Sequence, residues 1–406
     1  MEDIHEFRVR ARAWLEANAP YHDISHDIPA ARHFQAAQYD AGFVAMTWRT
    51  EHGGQGLSNE YERAYNEESQ SYRLPVEPFG IGIGMCAPIL RELGTRSQRD
   101  ANLRRIFRGE SIWCQLFSEP GAGSDVASLQ TRAELDGGEW VVSGQKVWTS
   151  RAHYADYGIL LARTNADVPK HQGITMFVVD MHALGVEVRP LKDMSGGAYF
   201  NEVYFDSVRL PIDAVVGTVN DGWNAAVTML KFERIAIGTA RKQPTSLSAD
   251  SLVKLARNRG KNSNPLVRNE LVQLAIDERA CTLLGIRLQE ERKSGVEVGA
   301  RGSIAKLAGA ELTRRAAQLA VRVNGVTAVG WDADDDVASE IARAINAAPS
   351  AAIAGGTNEI QRNIIGERIL GLPRETAVDR GIAFRELRTG GPRRRTDSTT
   401  RTSEGS

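Results

Sequence analysis

Apolar positions in the first hundred residues recur at helical spacing. Phe7, Ala11, Trp14 and Leu15 follow i, i+4, i+7 and i+8, which predicts an amphipathic helix beginning near Asp3. Breaks fall at Pro20, Pro29, Gly53-Gly54-Gln55-Gly56 and Pro75. Between about Trp113 and Gly217 the texture changes to short apolar or alternating runs separated by Gly, Asp and Pro, the pattern of β structure. The clearest predicted strands are Tyr157–Ala162, Ile174–Val179 and Phe200–Phe205, and Asp136-Gly137-Gly138 predicts a hairpin between two further strands. After Asp221-Gly222 helical spacing returns to about Arg388, with Ile304, Ala308, Leu312, Ala316, Leu319 and Val323 on one stripe. The expectation is an α+β chain in α–β–α order: a helical unit at 1–112, a β unit at 113–218, a helical unit at 219–388, and a disordered tail at 389–406 that has no large apolar residue.

Composition narrows the function classes. The 406 residues are 42% hydrophobic and 25% charged, ordinary for a globular chain. Lys and Arg number 50 against 51 Asp and Glu, so no global field draws the protein to nucleic acid or anionic lipid, and Arg393-Arg394-Arg395 reads as part of a solvated tail. Cys86, Cys114 and Cys281 are too few and too scattered for a disulfide framework or a cysteine-rich zinc site. The start of the chain mixes charges where a signal peptide would be apolar, and no run reaches membrane-spanning length, so a cytoplasmic location is expected.

Several motifs have plain structural explanations. Gly82-x-Gly84-x-x-Ala87 fits a loose dinucleotide fingerprint but lies in a helical region with no preceding strand, so packing glycines are expected. His22 and His26 have i, i+4 spacing without the Glu of a zinc-binding helix, and Asp332, Asp334, Asp335 and Asp336 lack the glycine and closing glutamate of a calcium loop and read as a solvated loop; neither group is expected to hold a metal. Two stretches carry more chemistry. In Ser118-Glu-Pro-Gly-Ala-Gly-Ser-Asp125, Gly121 and Gly123 let the backbone approach a ligand while Ser118, Ser124 and Asp125 offer polar anchors; a Gly-Pro turn explains the same residues. Gln145-Lys-Val-Trp-Thr-Ser150 ends a strand with a large aromatic and two hydroxyls, suited to one side of a planar ligand, or equally to an ordinary core tryptophan.

Glu233 is the sharpest single residue. Helical spacing puts it on one face with Ala226, Met229, Leu230, Ala236 and Ile237, a carboxylate within an apolar stripe. Desolvation there would make it a stronger base, suited to proton abstraction; the alternative is a buried ion pair with an arginine.

Five stretches in this order resemble the acyl-CoA dehydrogenases over nearly the whole chain to about Glu386: Trp48-Arg-Thr-Glu-His-Gly-Gly-Gln-Gly-Leu57, Phe117-Ser-Glu-Pro-Gly-Ala-Gly-Ser-Asp125, Gly144-Gln-Lys-Val-Trp-Thr-Ser150, Asn220-Asp-Gly-Trp223 and Gly355-Gly-Thr-Asn-Glu-Ile-Gln-Arg-Asn-Ile-Ile365. The resemblance implies an N-terminal helical domain, a central β-barrel-like domain and a C-terminal four-helix bundle, with FAD between the last two. It implies flavin or phosphate contacts from Leu116, Phe117, Ser118, Gly123, Ser124, Trp148, Thr149, Ser150, Arg259, Thr357 and Glu359, and CoA contacts from Ser124 and Arg234. The family's usual catalytic glutamate position is Gly355 here. A minority branch, similar to isovaleryl-CoA, long-chain and bacterial steroid-side-chain enzymes, places the base where Glu233 stands. Gly355 retains a backbone N–H to polarise the thioester carbonyl and leaves room for a bulkier acyl group.

The implied reaction is α,β-dehydrogenation of an acyl-CoA to the trans-2-enoyl-CoA, with electrons passing to an electron-transferring flavoprotein. An acyl-CoA oxidase and a non-catalytic subunit that completes a partner's FAD site are the alternatives. Two family features are altered. Arg257-Asn-Arg259-Gly260 lacks the usual phenylalanine, and Asn324-Gly-Val-Thr-Ala-Val-Gly330 replaces a Gln-x-x-Gly-Gly loop. A homotetramer, or a heterotetramer with a second acyl-CoA dehydrogenase-like subunit that supplies the altered contacts, is expected.

Overall fold

The computed structural model describes residues 2–239, 247–294, 296, 298–330, 334–377 and 379–387. The side chains of residues 234–239 and 292–293 lie outside that description, as does the tail expected at 389–406.

The chain opens with five helices: α1 (Ile4–Asn18), α2 (Ile28–Asp40), α3 (Asn59–Glu68), α4 (Ala87–Leu93) and α5 (Arg96–Phe107). Asp3 starts α1 with a capping box, accepting from the Glu6 N–H while the Glu6 side chain reaches back. The predicted stripe is the buried face: Phe7, Ala11 and Leu15 are inaccessible, and Trp14 packs partly against the same cluster. Pro29, read from the sequence as a break, falls instead in the first turn of α2, where its missing N–H costs no hydrogen bond. His22 and His26 lie in the loop before α2. Gly82–Cys86 forms a π-helical turn running into α4, and Gly82 packs against Ile106 and Trp113, as a packing glycine should.

Eight strands follow: β1 (Trp113–Leu116), β2 (Arg132–Asp136), β3 (Glu139–Ser150), β4 (Tyr157–Arg163), β5 (Ile174–Asp180), β6 (Val186–Leu191), β7 (Phe200–Pro211) and β8 (Val215–Val216). They form one sheet in the order β6-β7-β3-β2-β4-β5-β8, with β1 parallel to β4. The hairpin between β2 and β3 closes on Gly137 and Gly138 with Asp136 opposite Glu139. The sheet curls back where the Val147 N–H donates to the Ser118 carbonyl at 2.9 Å, tying β3 to the segment after β1.

The rest is helical: α6 (Gly222–Thr239), α7 (Ala249–Asn258), α8 (Pro265–Lys293), α9 (Gly302–Asn324), α10 (Asp336–Ala351) and α11 (Asn358–Arg368). Four of these are long and two short, so the expected four-helix unit carries two additional short helices among the described residues. The stripe on α9 is fully buried only at Ala316, Leu319 and Val323; Ile304, Ala308 and Leu312 are half-buried. Asp335, read as part of a solvated loop, accepts from the Ala338 N–H as the N-cap of α10, while Asp334 and Asp336 are exposed and Asp332 lies outside the described residues. Beyond α11 the chain returns to the sheet: Phe384 N–H donates to Val168 O, and Arg163 stacks on the Phe384 ring at 3.7 Å. Among the described residues no helix is long and apolar enough to cross a membrane.

The placement of α6 depends on its first residue. Asp221 pairs with Ile174 of β5, and a Cβ on Gly222 would lie 2.7 Å from the Thr175 backbone. Backbone cannot yield as a flexible side chain can, so glycine here lets α6 start directly against the sheet. Ala225, Ala226 and Met229 then enter a core shared with Phe117, Ala122 and Leu129 from the segments after β1. Gly222→Ala is expected to destabilise the fold by about 1–3 kcal/mol through forced displacement of α6, measured by denaturant unfolding; a loss under about 0.5 kcal/mol would show that the helix can shift freely.

Candidate active site

The loop after β1 is held by a buried ion pair. Lys146 on β3 is inaccessible to solvent, and its Nζ donates to Glu119 Oε1 at 2.7 Å and to the Phe117 carbonyl at 3.1 Å. Glu119 also accepts from the backbone N–H groups of Gln130 at 2.6 Å and Thr131 at 3.0 Å. One carboxylate therefore joins the segment after β1, the start of β2 and the end of β3. Burial by itself would raise the Glu119 carboxyl; the Lys146 charge and hydrogen bond, with Thr131 and Gln130, outweigh it and hold the group below the usual carboxylate range. Burial pushes Lys146 down, and Glu119 offsets that only in part.

This anchoring explains the shape of the end of β3. A bulge between Lys146 and Thr149 breaks strict alternation, so Lys146 and Thr149 both turn inward while Trp148 turns out. Trp148 has φ +59° and is 61% exposed, against an edge contact with Phe200 at 5.9 Å. A bulky residue in the left-handed region costs of order 1–3 kcal/mol and persists only where its surroundings enforce it. It is not the core tryptophan that the sequence left open. Next to it the Thr149 hydroxyl is buried with no hydrogen-bond partner among the described residues.

Facing this strand end, Leu116 and Phe117 bury their side chains in the two cores, so what that stretch offers a ligand is backbone and Ser118. Gly121 and Gly123 are exposed, with open space where a Cβ would stand; Ser124 is exposed between them and Asp125. Ser150 is half-buried. An unsatisfied buried hydroxyl beside a strained exposed indole, with an open glycine loop after β1, fits a planar, phosphate-bearing ligand such as FAD.

A second group gathers where α6, α9 and α11 meet. Glu233 is half-buried on α6, one turn past Met229. Lys306 on α9, which sequence reasoning passed over, lies within electrostatic reach of both Glu233 and Glu359 and donates to Asn358 Oδ1 at 3.4 Å. Asn358 is the first residue of α11, and Thr357 caps that helix by accepting from the Ile360 N–H. The preceding Gly355 has φ +67°, a conformation that favours glycine, and its carbonyl accepts from Gln361 Nε2 at 2.9 Å. Arg234 follows Glu233, with a side chain outside the described residues.

Arg259 is not part of either group. It donates to Asn324 Oδ1 at 2.9 Å and lies 3.5 Å from Asp335, at the C-terminal end of α9. Lys306 and Asn324 are 18 positions apart on that helix, about 27 Å at 1.5 Å per residue. The two altered family features, around Arg259 and Asn324, are therefore neighbours in space.

Comparison with known proteins agrees with this architecture. Residues 1–110 match the acyl-CoA dehydrogenase N-terminal domain, 114–208 the middle domain and 220–370 the C-terminal domain. The chain belongs to the acyl-CoA dehydrogenase family, flavin-dependent oxidoreductases. Acyl-CoA dehydrogenase IpdE1 of Mycobacterium tuberculosis is 37% identical, over 92% of this chain and 99% of that protein. Acyl-CoA dehydrogenase FadE34 of the same organism is 38% identical over 84% of this chain but only 46% of its own length. Among solved structures, the Tcur3481-Tcur3483 steroid ACAD has TM-score 0.79 at 28% identity, covering 92% of this chain and 99% of that one. The ChsE4-ChsE5 complex from Mycobacterium tuberculosis has TM-score 0.75 at 30% identity, with the same coverage.

Two outcomes test the buried pair. Lys146→Met should cost about 3–5 kcal/mol by leaving Glu119 charged and unpaired, whereas adding Glu119→Gln should restore much of it; equal losses for single and double variants would show that the pair is not coupled. Because the folded-state Glu119 pKa is depressed, its stabilisation is present above the ordinary glutamate value and lost as pH falls through the folded value. Acid unfolding curves should therefore be steeper for the parent chain than for Glu119→Gln; parallel curves would contradict this.

Proposed function

We propose that this acyl-CoA dehydrogenase binds FAD and uses Glu233 as the base that removes the α-proton of an acyl-CoA, giving the trans-2-enoyl-CoA. The observation that supports the reading is that α6, which carries Glu233, and α11, which follows Gly355, both pack against α9. The family's usual base position is glycine here, and Glu233 offers a carboxylate from a different helix. Gly355 then contributes its N–H to the thioester oxygen as enolate charge develops.

The backbone at 116–118, Ser118, Gly123, Ser124, Trp148, Thr149 and Ser150 would hold the cofactor, with Thr357 and Glu359 at the start of α11. Thr149 offers a preplaced hydroxyl in a dry setting, and Trp148 covers one side. When bound, FAD supplies the two-electron acceptor for the hydride lost from Cβ. Glu233, half-buried on the apolar side of α6, takes the proton from Cα, so the two hydrogens leave to different acceptors. Ser124 and Arg234 lie on the segments proposed to meet the CoA part. Electrons then pass to an electron-transferring flavoprotein.

Substrates with a branched or steroid-derived acyl chain are favoured, because Gly355 removes the bulk of a side chain and the similar solved structures include a steroid ACAD. A heterotetramer with a second acyl-CoA dehydrogenase-like subunit is the favoured assembly. Its support is the engagement of Arg259 by Asn324 and Asp335 of its own chain, beside exposed Val326 and Val329, together with the two-component ChsE4-ChsE5 neighbour.

The test is anaerobic reduction of the flavin-bearing protein, co-expressed with its partner when the chain alone is colourless, by straight, branched and steroid-side-chain acyl-CoAs. Glu233→Gln should retain flavin and bind the acyl-CoA yet slow bleaching by at least about 10²–10⁴-fold, the usual contribution of a positioned base. Bleaching within about threefold of the parent rate would rule out Glu233 as the base.

A further inference from the structure

The glycine loop after β1 has few means of holding its own shape. Its first half is pinned: Glu119 and Ala122 exchange backbone hydrogen bonds at 3.0 Å, and the Glu119 carboxylate is fixed by Lys146. Gly121 and Gly123 meet nothing where a Cβ would stand, so neither packs the loop against the sheet. Glycine loses the most conformational freedom on ordering, and a loop that its ligand must order binds that ligand more weakly. What orders the second half therefore matters for any ligand the loop receives.

The second half is held by the connection between β4 and β5. Lys170, in that connection, donates from Nζ to Asp125 Oδ2 at 2.7 Å, and Asp125 also accepts from the Ser128 hydroxyl. Arg163, at the end of β4 and 5% exposed, donates to the carbonyls of Ala127 at 2.6 Å, Lys170 at 2.7 Å and Leu129 at 3.3 Å. One ammonium and one guanidinium thus tie residues 125–129 to the 163–170 stretch.

The chain beyond α11 covers both cations. Asp379 Oδ2 lies 2.5 Å from Lys170 Nζ, and the Phe384 ring lies over the Arg163 guanidinium at 3.7 Å. The backbone there is held as well: the Phe384 N–H donates to the Val168 carbonyl at 2.9 Å and the Arg385 N–H to that of Ala166 at 3.0 Å, while Ala383 pairs with Pro169. Lys170 touches both the glycine loop and the returning segment, with a side chain only 12% exposed. Burial alone would lower its ammonium; the hydrogen bonds and charges of Asp125 and Asp379 outweigh that and hold it above the ordinary lysine value.

We propose that residues 379–387 clasp the glycine loop and that Lys170 is the positioning residue of the clasp: held by Asp379, it keeps Asp125, and with it Ser124, in the conformation that receives a phosphate group of FAD or of CoA. The proposal rests on the reading of residues 118–125 as a ligand site. Lys170 acts through the loop, since its ammonium faces the two aspartates. Asp379 approaches from a part of the chain that no strand of the sheet carries, so the shape of the loop depends on whether the C-terminal segment is docked.

The experiment follows hydrogen exchange at the backbone amides of residues 121–129 in the flavin-bearing protein, co-expressed with its partner when the chain alone is colourless. Dissociation constants for FAD and for coenzyme A are measured on the same variants. Lys170→Met keeps the apolar stem and removes the charge. It should speed exchange at 121–129 by about threefold or more, and raise the FAD or the coenzyme A constant by about three- to fivefold; the constant that rises identifies whose phosphate the loop receives. Lys170→Arg should restore both readouts. Arg385→Ala removes a contact of the same segment, the exposed pair with Asp167 at 2.8 Å, which does not reach the loop. It should leave both readouts within about 1.5-fold of the parent, and an effect equal to that of Lys170→Met would mean general loosening and overturn the role of Lys170. Should Lys170→Met not fold, Asp379→Asn must still speed exchange at 121–129. Unchanged exchange overturns the clasp, whereas faster exchange with both constants unchanged overturns the reading of the loop as a ligand site and leaves the clasp standing.

Discussion

The buried pair of Lys146 and Glu119 is the constraint on which the rest of the candidate site hangs. A lysine with no solvent access and a carboxylate 7% exposed are costly to bury, and they persist because Lys146 donates to Glu119 and to the Phe117 carbonyl while Glu119 also accepts from two backbone N–H groups. Glu119 satisfies two backbone N–H groups that no strand partner serves, and Lys146 fixes the Phe117 carbonyl. The segment after β1, the start of β2 and the end of β3 therefore cannot move independently. The bulge that turns Trp148 outward and Thr149 inward follows from holding Lys146 in this position.

The other half of the site is organised by close backbone approach. Gly222 lets α6 begin on β5, and the small residues Ala225 and Ala226 keep it there, beside Phe117 and Leu129. This makes the orientation of Glu233 a property of the sheet as much as of its helix. α9 packs against both α6 and α11, and its Lys306 donates to Asn358 at the start of α11.

Much of the fold was legible in the chain. Helix, sheet and helix followed from a change of hydrophobic period; the stripe Phe7, Ala11, Leu15 and the strands around residues 157, 174 and 200 fell where expected, because local spacing decides which face is buried. Pro29 was misread because proline ends a helix in its interior but begins one in its first turn, and spacing alone does not say which. Asp335 was taken for solvent-facing when it caps α10, because an aspartate in an acidic run reads the same whether it is solvated or accepts the first backbone N–H groups of a helix.

The sequence by itself determined the family, the order of elements and the candidacy of Glu233, since each is written in motifs or in positions along a single helix. Only the tertiary structure decided what surrounds those residues. Lys306 is 52 positions from Asn358, and Lys146 is 27 from Glu119, so nothing in local periodicity signals either encounter. It also separated Arg259 from the junction of α6, α9 and α11 and joined it to Asn324. The physical reason is range: propensity and amphipathicity act within a few residues, whereas desolvation and charge pairing are set by which elements pack together.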